Sequence, residues 1–205
     1  MAAEQLGLFG GEPIGFDRTF ASLRRIELPE GAWLDHGPGF LRGHRELYEL
    51  LKGTTRFHSE ERTLYDNHVA VPRLYAQLPS DGRGHPIVFE LQRALSFRYG
   101  ESFERVSLAL YRDGRDSVAW HGDYVARRME RALVASLSLG APRKFLLRRT
   151  GGGPSRSLTL GWGDLLIMGG TCQRTHQHAV PKVANAAPRL VVMFRPVWDE
   201  SLAVY

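Results

Sequence analysis

Cysteine is nearly absent from this sequence: Cys172 is its one representative in 205 residues. A single thiol excludes an internal disulfide framework and any multi-cysteine zinc site. Long apolar runs are missing too. No stretch approaches the roughly 18 apolar residues of a membrane-spanning helix, so no membrane association is expected. Residues 1–11 carry neither a basic start nor an apolar run, and a secretory signal is therefore not expected. A reduced, cytoplasmic protein is the expectation. No internal repeat or low-complexity linker divides the chain.

What is present fits one globular domain. The hydrophobic share of 43% suffices for a core, and 24% charged residues is ordinary for a soluble fold. The formal net charge of +5 comes almost wholly from arginine. That bias is compatible with a polyanionic partner without identifying one. Arginine does suit planar, bidentate recognition of phosphate or carboxylate.

Residues 1–13, ending Gly10-Gly11-Glu12-Pro13, read as a flexible tail, and residues 14–205 as a single domain. Phe40, Leu41, Leu47, Leu50 and Leu51 recur at helical spacing over 40–52, with Gly53 as the stop. Ile87, Val88, Leu91 and Leu95 predict a second helix over 86–98, ending near Gly100. Between them Gly53 to Gly84 is polar and rich in Arg, Tyr and Pro. It reads as a long irregular connection of the kind that usually carries function. After Gly100 the texture changes to short apolar runs (106–111, 132–139, 144–148, 157–160, 164–168, 189–195) separated by Gly, Asp and Pro. These are strands of a barrel or two-sheet jelly roll. Gly151-Gly152-Gly153-Pro154 is a hairpin tip, since no Lys-Ser/Thr follows to make a phosphate loop. The plan is helices first, then a β core.

Chemistry concentrates late in the chain. His121 and Asp123, two apart in an extended segment, project to one face and can share an ion. His176 and His178 stand downstream, near the end of the β region. Two imidazoles and one carboxylate on one face of a metal leave three positions open. That is the ligand set of Fe(II) oxygenases, whose co-substrate and dioxygen take the open sites. A lone His-x-Asp occurs by chance in many proteins, but here Arg189 and Arg195 bracket the last strong strand. Their even spacing puts both guanidinium groups on one side, roughly 20 Å apart along the strand. They can clamp a short dicarboxylate beside the metal through Arg–carboxylate forks.

The ordered set His121-x-Asp123, His178 followed by Val180-Pro181, and Arg189-x5-Arg195 resembles the AlkB family of 2-oxoglutarate- and Fe(II)-dependent dioxygenases, here as a bacterial member. Leu110-Tyr111-Arg112-Asp113-Gly114 and the Leu165–Gly170 segment extend the likeness over residues 105–197. Tyr65-Asp66 and Val71-Pro72-Arg73 carry it more loosely into the N-terminal half. The resemblance implies an α+β, mainly β fold: a double-stranded β-helix (jelly roll) core with N-terminal helices and a substrate lid over 53–84. It implies His178 as the metal ligand, with His176 a neighbour. Arg189 would meet the distal carboxylate of 2-oxoglutarate with help from the Tyr111 hydroxyl, and Arg195 would lie near Asp123 and the metal-proximal carboxylate. The chain departs from the family at Ala109 and Val191, where asparagine is usual, and at Tyr124-Val125-Ala126, where acidic residues commonly read the base.

The implied activity is oxidative demethylation of N-alkylated bases, of the 1-methyladenine and 3-methylcytosine type, in methylated DNA. RNA- or protein-directed oxygenation and a non-enzymatic jelly-roll binding module are the alternatives. A base inside a duplex must be flipped out or presented single-stranded. By resemblance the lid reads the nucleotide: Tyr65 or Tyr75 would stack, Tyr124 would face the base, and Arg62, Arg73, Arg127, Arg128 and Lys144 would contact phosphate. A monomer is expected. At the N-terminus Gln5-Leu6-Gly7-Leu8-Phe9 resembles the peptide by which bacterial replication and repair proteins dock on the sliding clamp, with Gln5, Leu6, Leu8 and Phe9 as anchors.

Overall fold

Two helices form where apolar residues recur at helical spacing. A computed structural model of the chain describes residues 13–64, 67–79, 85–123 and 125–198, with backbone alone for 60–64 and 67–71. Helix α1 (His44–Thr54) buries Leu47, Tyr48 and Leu51. It starts later than the sequence pattern predicts, because Phe40 and Leu41 precede Gly43, which sits in the left-handed conformation. It also runs through Gly53, ending one residue beyond it. Helix α2 (Pro86–Tyr99) opens on a proline, where a missing N–H costs nothing, and closes at left-handed Gly100, whose N–H donates to the Ser96 carbonyl.

The strands are β1 (Gly15–Phe16), β2 (Arg24–Glu27), β3 (Ala32–Gly37), β4 (Leu41–Arg42), β5 (His58–Leu64), β6 (Asn67–Gln77), β7 (Arg105–Tyr111), β8 (Val118–His121), β9 (Val134–Gly140), β10 (Arg143–Arg149), β11 (Arg156–Leu160), β12 (Leu165–Gly170), β13 (His176–Val180) and β14 (Arg189–Arg195). A helical turn, α3 (Cys172–Thr175), precedes β13. Among the described residues β1 and β4 pair as a short ribbon, and the others make an eight-stranded sheet in the order β2-β3-β12-β9-β14-β7-β6-β5 and a four-stranded sheet in the order β11-β10-β13-β8. This is the mainly β jelly roll anticipated from the strand pattern.

Alternation divides the large sheet into two faces. Leu108, Leu110, Leu137, Leu139, Leu190 and Val192 join Leu47, Leu51, Leu91 and Leu95 of the helices in one core. Ala109, Tyr111, Val191 and Met193 point the other way and meet Val180 of the small sheet. Strands β7 and β14 are thus buried on both sides, which explains their unbroken apolar runs. Their register sets Arg189 opposite Tyr111, Val191 opposite Ala109 and Arg195 opposite Arg105.

The N-terminal half differs from the helices-first plan. Strands β2 and β3 extend the large sheet at one edge, and β5 and β6 form a hairpin at the other, paired through β6 to β7. Residues 58–64 and 67–77 are therefore strand where composition suggested an irregular connection. Pro72 sits where the β5–β6 register shifts, between the pairs Ser59–Leu74 and Glu61–Ala70. A residue that cannot donate to the ladder is tolerated at such a bulge. The tip from Gly151 to Gly153, with φ of 94°, 103° and 95°, joins β10 to β11 as expected. Among the described residues no helix is long and apolar enough to cross a membrane.

Candidate metal centre and co-substrate cavity

Strands β8 and β13 are neighbours, and His178 pairs directly with His121. Cross-strand partners share a face, and the two imidazole centroids lie 4.3 Å apart. Asp123 follows two residues after His121, its Oδ1 3.9 Å from His121 Nε2 and 4.0 Å from His178 Nε2. The three donor atoms lie within 4.8 Å of one another, close enough to hold one ion.

Each donor is oriented by a neighbour. His121 Nδ1 is 2.9 Å from the Ala119 carbonyl. A proton donated there leaves the Nε2 lone pair facing the trio. His178 stacks on Phe145, centroids 5.4 Å apart. Burial, with His121 adding to it, pushes the His178 pKa down to about 3, so at neutral pH the ring is in the uncharged form that binds metal. Asp123 accepts from Arg195 Nε through Oδ2 at 2.6 Å, which leaves Oδ1 for the histidines. Burial opposes its charge, but Arg195, His178 and His121 outweigh burial and hold the carboxyl well below the usual range. Arg195 is steadied by Ser107 Oγ, 3.1 Å from Nη1.

Two further features fix this corner, and spacing in the sequence signals neither. The Asp123 N–H donates to Oε1 of buried Gln173, 3.0 Å away on α3. Between the two ligands, a Cβ on Gly122 would lie 2.7 Å from the Gln173 carbonyl oxygen. Only glycine lets the chain leaving β8 pass this close to α3. His176 shares the face of His178 by alternation. Its Nδ1 instead lies 2.8 Å from Thr175 Oγ1, and it stands outside the trio.

Arg189 points to the same inner face as Arg195, at the other end of β14. It is buried, donates to Ser138 Oγ at 2.9 Å, and lies 5.4 Å from the Tyr111 ring centroid. Burial, with Arg143 and Arg73 adding to it, lowers its pKa to about 10, so it remains a cation at neutral pH. A trio of metal donors at one end and a buried cation at the other suit a dicarboxylate that chelates the metal.

Of the residues expected to read the nucleotide, Arg73 and Tyr75 lie inside the large sheet rather than on a free loop. Tyr75 pairs with Ala109 on β7, packs against the Ala109–Val191 cluster and has the His58 ring 5.6 Å away. Arg73 is buried and donates to the Tyr111 hydroxyl. The reason is the strand itself: Arg73 and Tyr75, two apart on β6, face inward beside Tyr111 and Ala109. Arg62 lies on β5 opposite Val69. Tyr65, Tyr124 and the peptide Gln5, Leu6, Leu8 and Phe9 lie outside the described residues.

Sequence comparison defines the class to which this arrangement belongs. A family model described as the 2OG-Fe(II) oxygenase superfamily matches residues 55–196, and the chain belongs to that superfamily. Membership implies Fe(II), 2-oxoglutarate and dioxygen, and two neutral imidazoles with one carboxylate are a fitting donor set for the ferrous ion. Among named proteins, the chain is similar to alpha-ketoglutarate-dependent dioxygenase alkB homolog 3 of Bos taurus, 33% identical over 126 residues, 57% of this chain and 44% of that protein. The Homo sapiens protein of the same name is 32% identical with the same coverage. DNA oxidative demethylase ALKBH2 of Arabidopsis thaliana is 34% identical over 122 residues, 48% of this chain and 39% of that protein. The chain thus spans less than half the length of these relatives. The fold is shared with the solved structure of OsALKBH1, at a TM-score of 0.55 and 17% identity over 85% of this chain and all of that one.

Proposed function

We propose that this chain is an AlkB-type dioxygenase that removes N-methyl groups from 1-methyladenine- and 3-methylcytosine-type bases in DNA, as direct repair of alkylation damage. The observation that carries the reading is the cluster of His121, Asp123 and His178 beside the small sheet, joined through Asp123 to Arg195 of β14, with Arg189 at the other end of that strand. Similarity to a DNA oxidative demethylase supports the choice of substrate. Bound Fe(II), 2-oxoglutarate and dioxygen supply the oxidation: the N-methyl group leaves as formaldehyde while 2-oxoglutarate becomes succinate and carbon dioxide.

The protein's part is placement. His121, Asp123 and His178 would hold the ferrous ion. Arg195 keeps Asp123 ionised and turned toward the metal. Arg189 and Tyr111 receive the far carboxylate of 2-oxoglutarate. Arg62, Tyr65 and Tyr124 are the nucleotide contacts of this reading, with Tyr75 packed beside Ala109 and Val191. Phe145, stacked on His178, and the buried Met193 and Val180 would keep the surroundings of the reacting atoms apolar.

The reading is tested by incubating the protein with Fe(II) and 2-oxoglutarate on DNA and RNA oligonucleotides carrying either base, and measuring formaldehyde and succinate. Formaldehyde in step with succinate, greater on DNA, is the expected result. Release only from RNA would move the substrate, and none from any oligonucleotide would sink demethylation in favour of a protein-directed oxygenase. The Gln5–Phe9 peptide is proposed to dock on a bacterial sliding clamp. Replacing Leu8 and Phe9 by alanine should abolish co-elution with the clamp, and unchanged co-elution would remove that partner.

A further inference from the structure

Three guanidinium groups surround the ring of Tyr111. Those of Arg73, Arg143 and Arg189 lie 6.0, 5.9 and 5.4 Å from its centroid. All three residues are buried, and in each the Nε lacks a hydrogen-bond partner. They are not equivalent. Arg143 reaches from the small sheet and donates to the carbonyls of Asp113, Asp116 and Pro181. It ties together the loops at that end of the cavity. Arg73 donates to the Tyr111 hydroxyl at 3.2 Å; among the described residues neither it nor Arg189 forms a salt bridge, although the Asp164 carboxylate is near enough to Arg189 to favour its charge. Tyr111 therefore stands between two buried cations, Arg73 from β6 on one side and Arg189 from β14 on the other.

Burying cations side by side with no anion in direct contact is expensive, and the cost is relieved by a bound anion that both can reach. Ala109 and Val191 are direct cross-strand partners in the apolar cluster that holds Tyr111, so their side chains offer a ligand there no polar contact. Arg73 stands one step further along the same inner face, two residues from Tyr75, which pairs with Ala109.

We propose that Arg73 is a co-substrate-binding residue: with Arg189 and the Tyr111 hydroxyl it grips the distal carboxylate of 2-oxoglutarate, and it takes over the polar contacts that Ala109 and Val191 do not offer. This rests on 2-oxoglutarate being the co-substrate. It also withdraws Arg73 from nucleotide phosphate contacts, for which its 9% exposure is poorly suited.

The test is anaerobic calorimetric titration of the Fe(II)-loaded protein with 2-oxoglutarate and with 2-oxopentanoate, which has the same chelating end but no distal carboxylate. Losing a charge-assisted hydrogen bond should weaken 2-oxoglutarate binding about 10- to 100-fold in R73Q, leaving 2-oxopentanoate unchanged. R73K, keeping the charge but not the fork, should fall between, and it serves as the reading variant should R73Q not fold. Unchanged 2-oxoglutarate affinity in these variants overturns the proposal, as does equal weakening of both ligands, which would mark a merely structural role. Wild-type protein that binds no 2-oxoglutarate overturns the co-substrate reading itself and this inference with it.

Discussion

Gln173 is the residue through which a remote helix controls the metal corner. Replacing it by leucine, similar in volume, removes the acceptor of the Asp123 N–H while keeping the packing. That N–H lies beside a buried side chain and would lose its partner, at about 1–3 kcal/mol. For a chain of this size each kcal/mol shifts Tm by about 2–4 °C, so Q173L should melt lower by roughly 2–12 °C. The second consequence is the sharper one. With the Asp123 backbone no longer fixed, its Oδ1 loses its place opposite the two Nε2 atoms, and metal affinity should drop by about 10- to 100-fold, as for other residues that orient a ligand. Q173E, which keeps an acceptor at the same reach, should lose less. The assay is anaerobic Fe(II) titration by calorimetry, with circular-dichroism melts alongside. Metal affinity within twofold of wild type in Q173L would refute the reasoning, whatever the melting point did.

G122A tests the same corner sterically. Its Cβ would meet backbone at 2.7 Å, which cannot move aside cheaply, and metal binding should weaken about tenfold or more. Burial raises the pKa of Cys172 to about 12 and leaves it 1% exposed, so the native protein should not react with a thiol reagent that labels it fully in denaturant; rapid native labelling would contradict this. Asp35 is buried against Arg25 and Tyr99, and although burial opposes its charge, their hydrogen bonds hold its pKa below the ordinary value. Its stabilisation is present above the unfolded carboxylate range near 4 and is lost as pH falls through it. Urea midpoints of D35N should therefore depend less on pH below 5 than those of wild type.

The later strands were legible because Gly, Asp and Pro punctuate apolar runs, and a strand buried on both faces needs no alternation to be seen. The β5–β6 hairpin was not, since its inner face carries Arg73 and Tyr75 toward a polar cavity and Pro72 breaks its ladder. Parity along β14 was enough to put Arg189 and Arg195 on one side. Parity could not separate His176 from His178, which share a face; the cross-strand pairing of His178 with His121 does, and pairing is a tertiary fact. Gln173 was invisible for the same reason, because its contact with Asp123 spans 50 positions of chain.

The most direct test of the account compares ferrous-ion binding by H178A and H176A under anaerobic conditions. H178A, like D123A, should lose the ion, while H176A, folded as judged by circular dichroism, should bind one equivalent with near wild-type affinity. Loss of the ion in H176A with retention in H178A would contradict the centre described by His121, Asp123 and His178.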